Sequence, residues 1–262
     1  MKKLLQLLAH LVAIVVIYMF VSMGASLVLP SLNLDGGDAD FGFMLTNLLI
    51  SLAIFVVLTI YERVACGRVE RSGRSIKGFD PLTILVGVIL LLAVAIVTLP
   101  LEQWLDQDVR RFPDGGWTLF AAVVVAPVLE ELIFRGRVYS IFRRIVPPSL
   151  AIVLGALIFA AAHGSFIVAI DAFLAGVIFG YFYIVKRSIF TPIILHMCNN
   201  AVAFALMELS YRGQGLMDIF SSSAIFFIIY GVALVIAMIG FGHMVRTFFR
   251  ADMECDIELN QE

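Results

Sequence analysis

Apolar residues in this chain come in long runs separated by short polar stretches. The runs fall at about residues 4–29, 41–61, 82–100, 118–136, 149–164, 166–185, 189–208 and 219–241. Crossing about 30 Å of hydrocarbon takes roughly 20 helical residues, and most of these runs are near that length. Inside lipid every backbone N–H and C=O has to be paired within the protein, so runs of this kind are helices rather than strands. The pattern predicts an all-α fold, a polytopic transmembrane helical bundle of about eight spans. The fifth run is short and the loop after it is tight.

Composition agrees with this reading. Of 262 residues, 61% are hydrophobic and 15% charged, against roughly a quarter charged in soluble domains. The few charges are placed unevenly. Lys2 and Lys3 precede the first run, whereas the next loop carries Asp35, Asp38 and Asp40 and no basic residue. The following loop holds Arg63, Arg68, Arg71, Arg74 and Lys77. Arg135, Arg137, Arg143 and Arg144 follow the fourth run, Lys186 and Arg187 the sixth, and Arg246 and Arg250 the last. Basic loops thus alternate with non-basic ones, and the positive-inside rule places both termini and the basic loops in the cytoplasm. Arg110 and Arg111 fall on the outer side but share their loop with Glu102, Asp106, Asp108 and Asp114.

The N-terminus has a basic start and small residues at Gly24-Ala25-Ser26. Its apolar stretch exceeds the 7–15 residues usual in a signal-peptide core, so an uncleaved first span is expected. Cys66, Cys198 and Cys255 suggest no disulfide framework. There is no internal repeat or low-complexity tract, and the tail after Ala251 reads as a short solvated end.

The chemistry lies between residues 118 and 205. Glu130 and Glu131 sit at the end of an otherwise apolar stretch from Thr118 to Phe134. An acidic side chain at mid-bilayer costs about 2.5–3.5 kcal/mol on insertion scales, so such residues face the protein interior and usually mark function. At about 100° per residue, Glu131 and Arg135 share a face at the i,i+4 spacing of an ion pair. Glu130 points away from that cation and is left available as a general base. Pro127 lacks an N–H and frees a carbonyl about one turn earlier, which predicts a local bend before the acids. His163 lies one turn beyond Phe159, and Asn200 one turn beyond His196, so each pair presents one face. Phe159 reads as a packing residue, because a phenyl ring transfers no proton. Counted from the cytoplasmic helix ends, Glu130 and His196 are about 9–12 Å deep, and Asn200 and His163 about 18–20 Å. His163 reaches a shared site only if its short helix starts below the surface or tilts.

Carboxylates and imidazoles on three separate spans suggest a hydrolytic site inside a membrane, but other classes fit too. Buried acids and histidines also build proton relays in transporters. Asp171, near the outer end of the sixth run, suits such a relay, although an interfacial solvated carboxylate is the simpler reading. Transporters often have paired, Gly/Pro-interrupted halves, and none is obvious here. A non-catalytic membrane scaffold or immunity protein is the third class. Among protease chemistries, there is no HExxH, Gly164-Ser165 lacks a second glycine, and Gly37-Asp38 sits in a loop. Gly176 and Gly180 form a small-xxx-small surface suited to internal helix packing.

The segments E-E-L-I-F-R (Glu130 to Arg135), F-A-A-A-H (Phe159 to His163) and H-M-C-N-N (His196 to Asn200) together resemble the CPBP family. This is the family of CAAX prenyl proteases and bacteriocin-processing enzymes, also called the Abi or type II CAAX protease family. The order EExxxR, FxxxH, HxxxN spans residues 118–206, and the flanking spans carry no motif. The resemblance implies a hydrolase, an intramembrane endopeptidase open to the cytoplasm. By match to the motifs, Glu130 activates water with help from His163, while His196 and Asn200 stabilise the oxyanion. Glu131 and Arg135 give structural support. The family was long described as metal-dependent, and two imidazoles with a carboxylate also form a hydrolytic zinc set. Without HExxH the metal-free glutamate mechanism is preferred, with no cofactor and zinc as the alternative.

On this reading, residues 1–110 are N-terminal transmembrane helices, 111–210 the catalytic helical core, and 211–262 the last helix with an acidic cytoplasmic tail. The expected partners are the lipid bilayer and a membrane-associated peptide or protein substrate, with no nucleic acid. Substrate identity, prenylation and oligomeric state stay open. The orientation is testable with reporter fusions. Fusions at Asp38 and Gly115 should score outside, and those at Gly73 and Glu262 inside; a cytoplasmic Asp38 overturns the assignment.

Overall fold

A computed structural model describes residues 1–32, 36–70, 80–104, 115–163, 166–211 and 223–259. Within them the chain forms eight helices and no strand: α1 (Lys2–Val28), α2 (Ala39–Cys66), α3 (Pro81–Trp104), α4 (Gly116–Phe142), α5 (Pro148–Ala161), α6 (Phe166–Lys186), α7 (Phe190–Tyr211) and α8 (Ser223–Leu259). Six of these are long and apolar enough to cross a membrane, namely α1, α2, α3, α4, α6 and α8. The apolar helices Pro148–Ala161 and Phe190–Leu206 are shorter. The all-α membrane bundle expected from the apolar runs is what the chain forms. Asp35, Arg71, Arg74, Lys77, Arg110 and Arg111 lie outside the described residues.

Little hydrophobic drive acts between helices in lipid, so close approach has to come from small residues and polar ties. Gly176 and Gly180 provide it between α6 and α5. A Cβ on Gly180 would lie 2.6 Å from Ile152 Cγ2, and one on Gly176 would lie 3.1 Å from Ala156 Cβ. Gly87 lets α3 receive Leu195 of α7 in the same way, and Gly240 lets α8 receive Leu90 of α3. The buried apolar residues divide into two clusters. One joins α1, α2, α4 and α5 through Ile14, Leu58, Val138, Phe142 and Phe159. The other joins α3, α6, α7 and α8 through Leu90, Ile178, Phe179, Leu195 and Met244.

Polar ties fix the two ends. Glu62 of α2 is fully buried and accepts hydrogen bonds from Arg137 Nη1 (2.6 Å), Ser140 Oγ (2.6 Å) and Arg144 Nη2 (3.0 Å). Arg137 Nη2 also donates to Glu70 O at 2.8 Å. Two arginines counted as loop charges thus clamp α2 to α4, and a single glutamate in an apolar run gives no hint of it. At the same end, Lys186 lies 3.7 Å from Asp80. At the opposite end, Asp40 accepts from Trp117 N (3.0 Å) and Thr118 N (2.7 Å). Those amides are among the orphan donors of a helix start, so α2 caps α4.

Past Ala251 the chain stays helical to Leu259 as part of α8, with Met253 exposed, and Asp252 reaches α5. The α5 start, at Pro147-Pro148, has no side-chain cap of its own. Asp252 supplies one, accepting from Ser149 N at 3.0 Å and from the Ser149 hydroxyl.

The close approach of α5 and α6 is testable. Gly180→Ala should lower unfolding stability by about 1–3 kcal/mol through overpacking, measured by denaturation in mild detergent. Adding Ile152→Ala should return part of the loss. An unchanged single variant means that α6 does not approach α5 at this point.

Candidate active site

The acidic segment is held between two irregular turns. Within α4, Ala121–Val125 and Phe134–Val138 are π-helical, and Ala126–Ile133 between them is α-helical. Single π turns inside α-helices recur at functional sites. In the first, Ala126 N–H bonds Ala121 O, five residues back. In the second, Tyr139 N–H bonds Phe134 O in the same way. The first π turn ends just before Pro127, the residue at which the sequence predicts a bend.

Rotation along α4 separates the two glutamates as the spacing predicts. Glu131 is fully buried, whereas the Glu130 side chain is 26% exposed. Glu131 Oε1 accepts from Arg135 Nη1 at 2.8 Å and from His196 Nδ1 at 3.0 Å. Its Oε2 is buried with no hydrogen-bond partner among the described residues. Arg135 Nη2 donates to Gly176 O at 2.6 Å, a carbonyl within reach because Gly176 lies tight against α5. The guanidinium carbon lies 5.6 Å from the Phe159 ring centroid and 5.5 Å from that of Phe179, within cation–π range.

His196 lies where the two apolar clusters meet. Phe179 stacks on it at 4.7 Å, and Phe159 meets it edge-on at 5.7 Å. Its Nδ1–H donates to Glu131, and Nε2 is 3.6 Å from Glu130 Oε2. His163 follows the end of α5, and its ring is 4.6 Å from that of Phe159. His163 Nδ1 is 2.8 Å from Phe159 O. A carbonyl only accepts, so Nδ1 carries the proton and Nε2 is left to accept. Asn200 Nδ2 donates to Ala122 O at 2.9 Å, and Asn200 Oδ1 accepts from Asn199 Nδ2 at 3.4 Å.

Glu130, Glu131, Arg135 and His196 are thus in one cluster. Asn200 is pinned to the same helix α4, and His163 joins through Phe159. Phe159 is a packing residue, as its chemistry implies, yet it touches both histidines and Arg135. Phe179 was not legible as part of the site, since a phenylalanine in an apolar run gives no signal. The second partner of Glu131 was equally hidden: the i,i+4 rule finds Arg135 on the same helix but says nothing of His196 on α7. Asp171 of α6 is half-buried, and its Oδ1 has no hydrogen-bond partner among the described residues.

Among the described residues, no three His, Cys, Asp or Glu side chains converge in a way that would hold a metal ion. His196 Nδ1 is turned to Glu131 and His163 Nδ1 to Phe159 O, contacts of the kind imidazole ligands make with their second nitrogen, so Nε2 is the nitrogen each ring would offer a metal.

Residues 113–202 match the family described as type II CAAX prenyl endopeptidase Rce1-like. The chain is also similar to the membrane-embedded CAAX protease MroQ of Staphylococcus aureus (strain USA300), with 35% identity over 98 residues. That stretch is 34% of this chain and 40% of the relative's length. No solved structure matches the chain.

The double role of Glu131 changes what a charge exchange should do. If Glu131 served Arg135 alone, Glu131→Arg with Arg135→Glu would restore function. With His196 bonded to the same oxygen, the exchange sets a cation against Nδ1, and neither folding yield nor function should return to that of the unaltered chain. Full recovery would mean that the His196 hydrogen bond is dispensable.

Proposed function

We propose that this multi-pass membrane protein is an intramembrane endopeptidase, because residues 113–202 match the type II CAAX prenyl endopeptidase Rce1-like family. It hydrolyses a peptide bond of a membrane-associated protein or peptide with water activated by Glu130. The observation that carries this reading is the pairing of unlike glutamates. One is buried and committed to Arg135 and His196, and its neighbour is partly open, with Nε2 of His196 3.6 Å from its Oε2.

In this mechanism Glu130 takes a proton from water as the water oxygen bonds to the scissile carbonyl carbon. His163 Nε2, an acceptor once Nδ1 is committed, helps to orient that water. The carbonyl electrons move onto oxygen, and the resulting oxyanion is met by the second N–H of Asn200 Nδ2 and by His196 Nε2–H. Donation from Nε2 requires a proton on both nitrogens of His196. Arg135 and His196 then balance Glu130 and Glu131, leaving the buried cluster neutral. Collapse of the intermediate breaks the C–N bond, and Glu130 returns the proton to the leaving amine. A preorganised oxyanion donor of this kind is worth about 2.7–4 kcal/mol.

We also place both termini and the site's opening on the cytoplasmic side. The clamp of Arg137 and Arg144 on Glu62, the Lys186–Asp80 pair and the Asp252–Ser149 cap are at one end of the bundle, the end richest in arginine and lysine. The substrate class is a peptide or protein at the membrane; the alternative chemistry is a zinc-dependent one with the same residues.

Glu130→Gln keeps size and hydrogen bonding but cannot take the proton from water. In purified protein in nanodiscs, mixed with a panel of membrane-spanning and lipidated peptides, it should insert normally. It should lose turnover by at least about 10²–10⁴, the value of general-base help. Elemental analysis should find no stoichiometric metal, and activity should survive strong chelation. About one zinc per chain, lost on His196→Ala, would establish the metal mechanism instead.

A further inference from the structure

Asn200 is held by an acceptor that an ordinary helix would not offer. Ala122 O would receive Ala126 N–H in an α-helix, or the N–H of residue 127 in a π turn. Neither is available. Ala126 N–H is engaged with Ala121 O, and residue 127 is proline, which has no N–H. An unpaired backbone carbonyl at this depth is costly. The Asn200 amide fills the vacancy at 2.9 Å, reaching across from α7. A primary amide has two N–H groups, so one anchors the side chain and the other has no partner among the described residues.

We infer that Pro127, together with the π turn Ala121–Val125, is a positioning device for Asn200: the missing N–H leaves Ala122 O open, and that carbonyl aims the amide. The sequence alone suggests a freed carbonyl but not which one. The π turn takes Ala126 N–H, the α-helical donor of Ala122 O, to Ala121 O, and Pro127 offers no N–H in its place. Pro127 touches no reacting atom in this scheme and acts only through Asn200. The functional consequence rests on the peptidase reading above; the geometry does not.

Two variants separate the missing N–H from the proline ring. Pro127→Ala supplies an N–H that competes with Asn200 for Ala122 O. The α-hydroxy analogue of alanine at position 127, introduced by nonsense suppression, has an ester oxygen there and again no N–H. Solid-state NMR of the full chain in lipid, labelled at the Ala122 carbonyl carbon and Asn200 Nδ2, reads this hydrogen bond without any substrate. The bond should be present in the parent chain and in the ester variant, and weakened or absent in Pro127→Ala. Turnover of a cleaved peptide should follow it. For Pro127→Ala we expect kcat to fall about 2–10-fold, the size of one net hydrogen bond. KM should be unchanged, because an oxyanion donor acts in the transition state.

A hydrogen bond that persists undiminished in Pro127→Ala overturns the inference. Its disappearance from both variants alike does so too, since that would assign the effect to the ring. If Pro127→Ala fails to fold, the ester variant decides alone: the bond's presence there supports the inference and its absence ends it. A parent chain that keeps the bond but cleaves nothing leaves the positioning intact and removes the peptidase reading.

Discussion

Glu131 Oε1 accepts two hydrogen bonds, one from Arg135 on its own helix and one from His196 on α7, and the site is organised around that oxygen. A fully buried carboxylate needs its charge matched, and both donors that Glu131 finds among the described residues meet on this one oxygen. Arg135 supplies the charge and is itself held by Gly176 O and by the rings of Phe159 and Phe179. His196 supplies a second donor, and in doing so its ring is turned so that Nε2 looks toward Glu130. Removing Glu131 would therefore loosen a helix pairing and a histidine orientation at once. Structural support for the helix pairing and orientation of His196 are one interaction here.

The bundle serves this arrangement by bringing short and long helices together at defined points. Small residues on α6 let α5 lie close enough to place Phe159 between the two histidines. The end clamps fix α4, with Glu62 holding its basic end and Asp40 capping the other. Between them, two π turns set the faces of the segment that carries the acids. Each of these devices is polar or backbone-based, as expected where lipid removes most of the hydrophobic drive between helices.

Much of this is legible in the chain itself. Run length locates the helices, because the bilayer sets their length. The i,i+4 spacing separates a paired Glu131 from a more open Glu130, because helix geometry is rigid over one turn. What stays hidden depends on how the helices meet. Glu62 looks like one more charge at a helix end, and Asp252 like part of a solvated tail, because the partners of each are many residues away. Phe179 carries no mark at all. The π register of α4 is equally hidden, since Pro127 announces a freed carbonyl but not the extra residue that decides which one.

The proposed peptide-bond hydrolysis rests on Glu130 acting as a base toward water. The most direct measurement is quantitative profiling of peptide termini in membrane fractions from matched cells producing either the parent chain or Glu130→Gln at equal levels. A set of new termini in membrane-associated proteins should appear with the parent chain and vanish with the variant. Identical termini in the two, with the parent phenotype intact in the variant, would contradict the peptidase reading and leave a binding scaffold in its place.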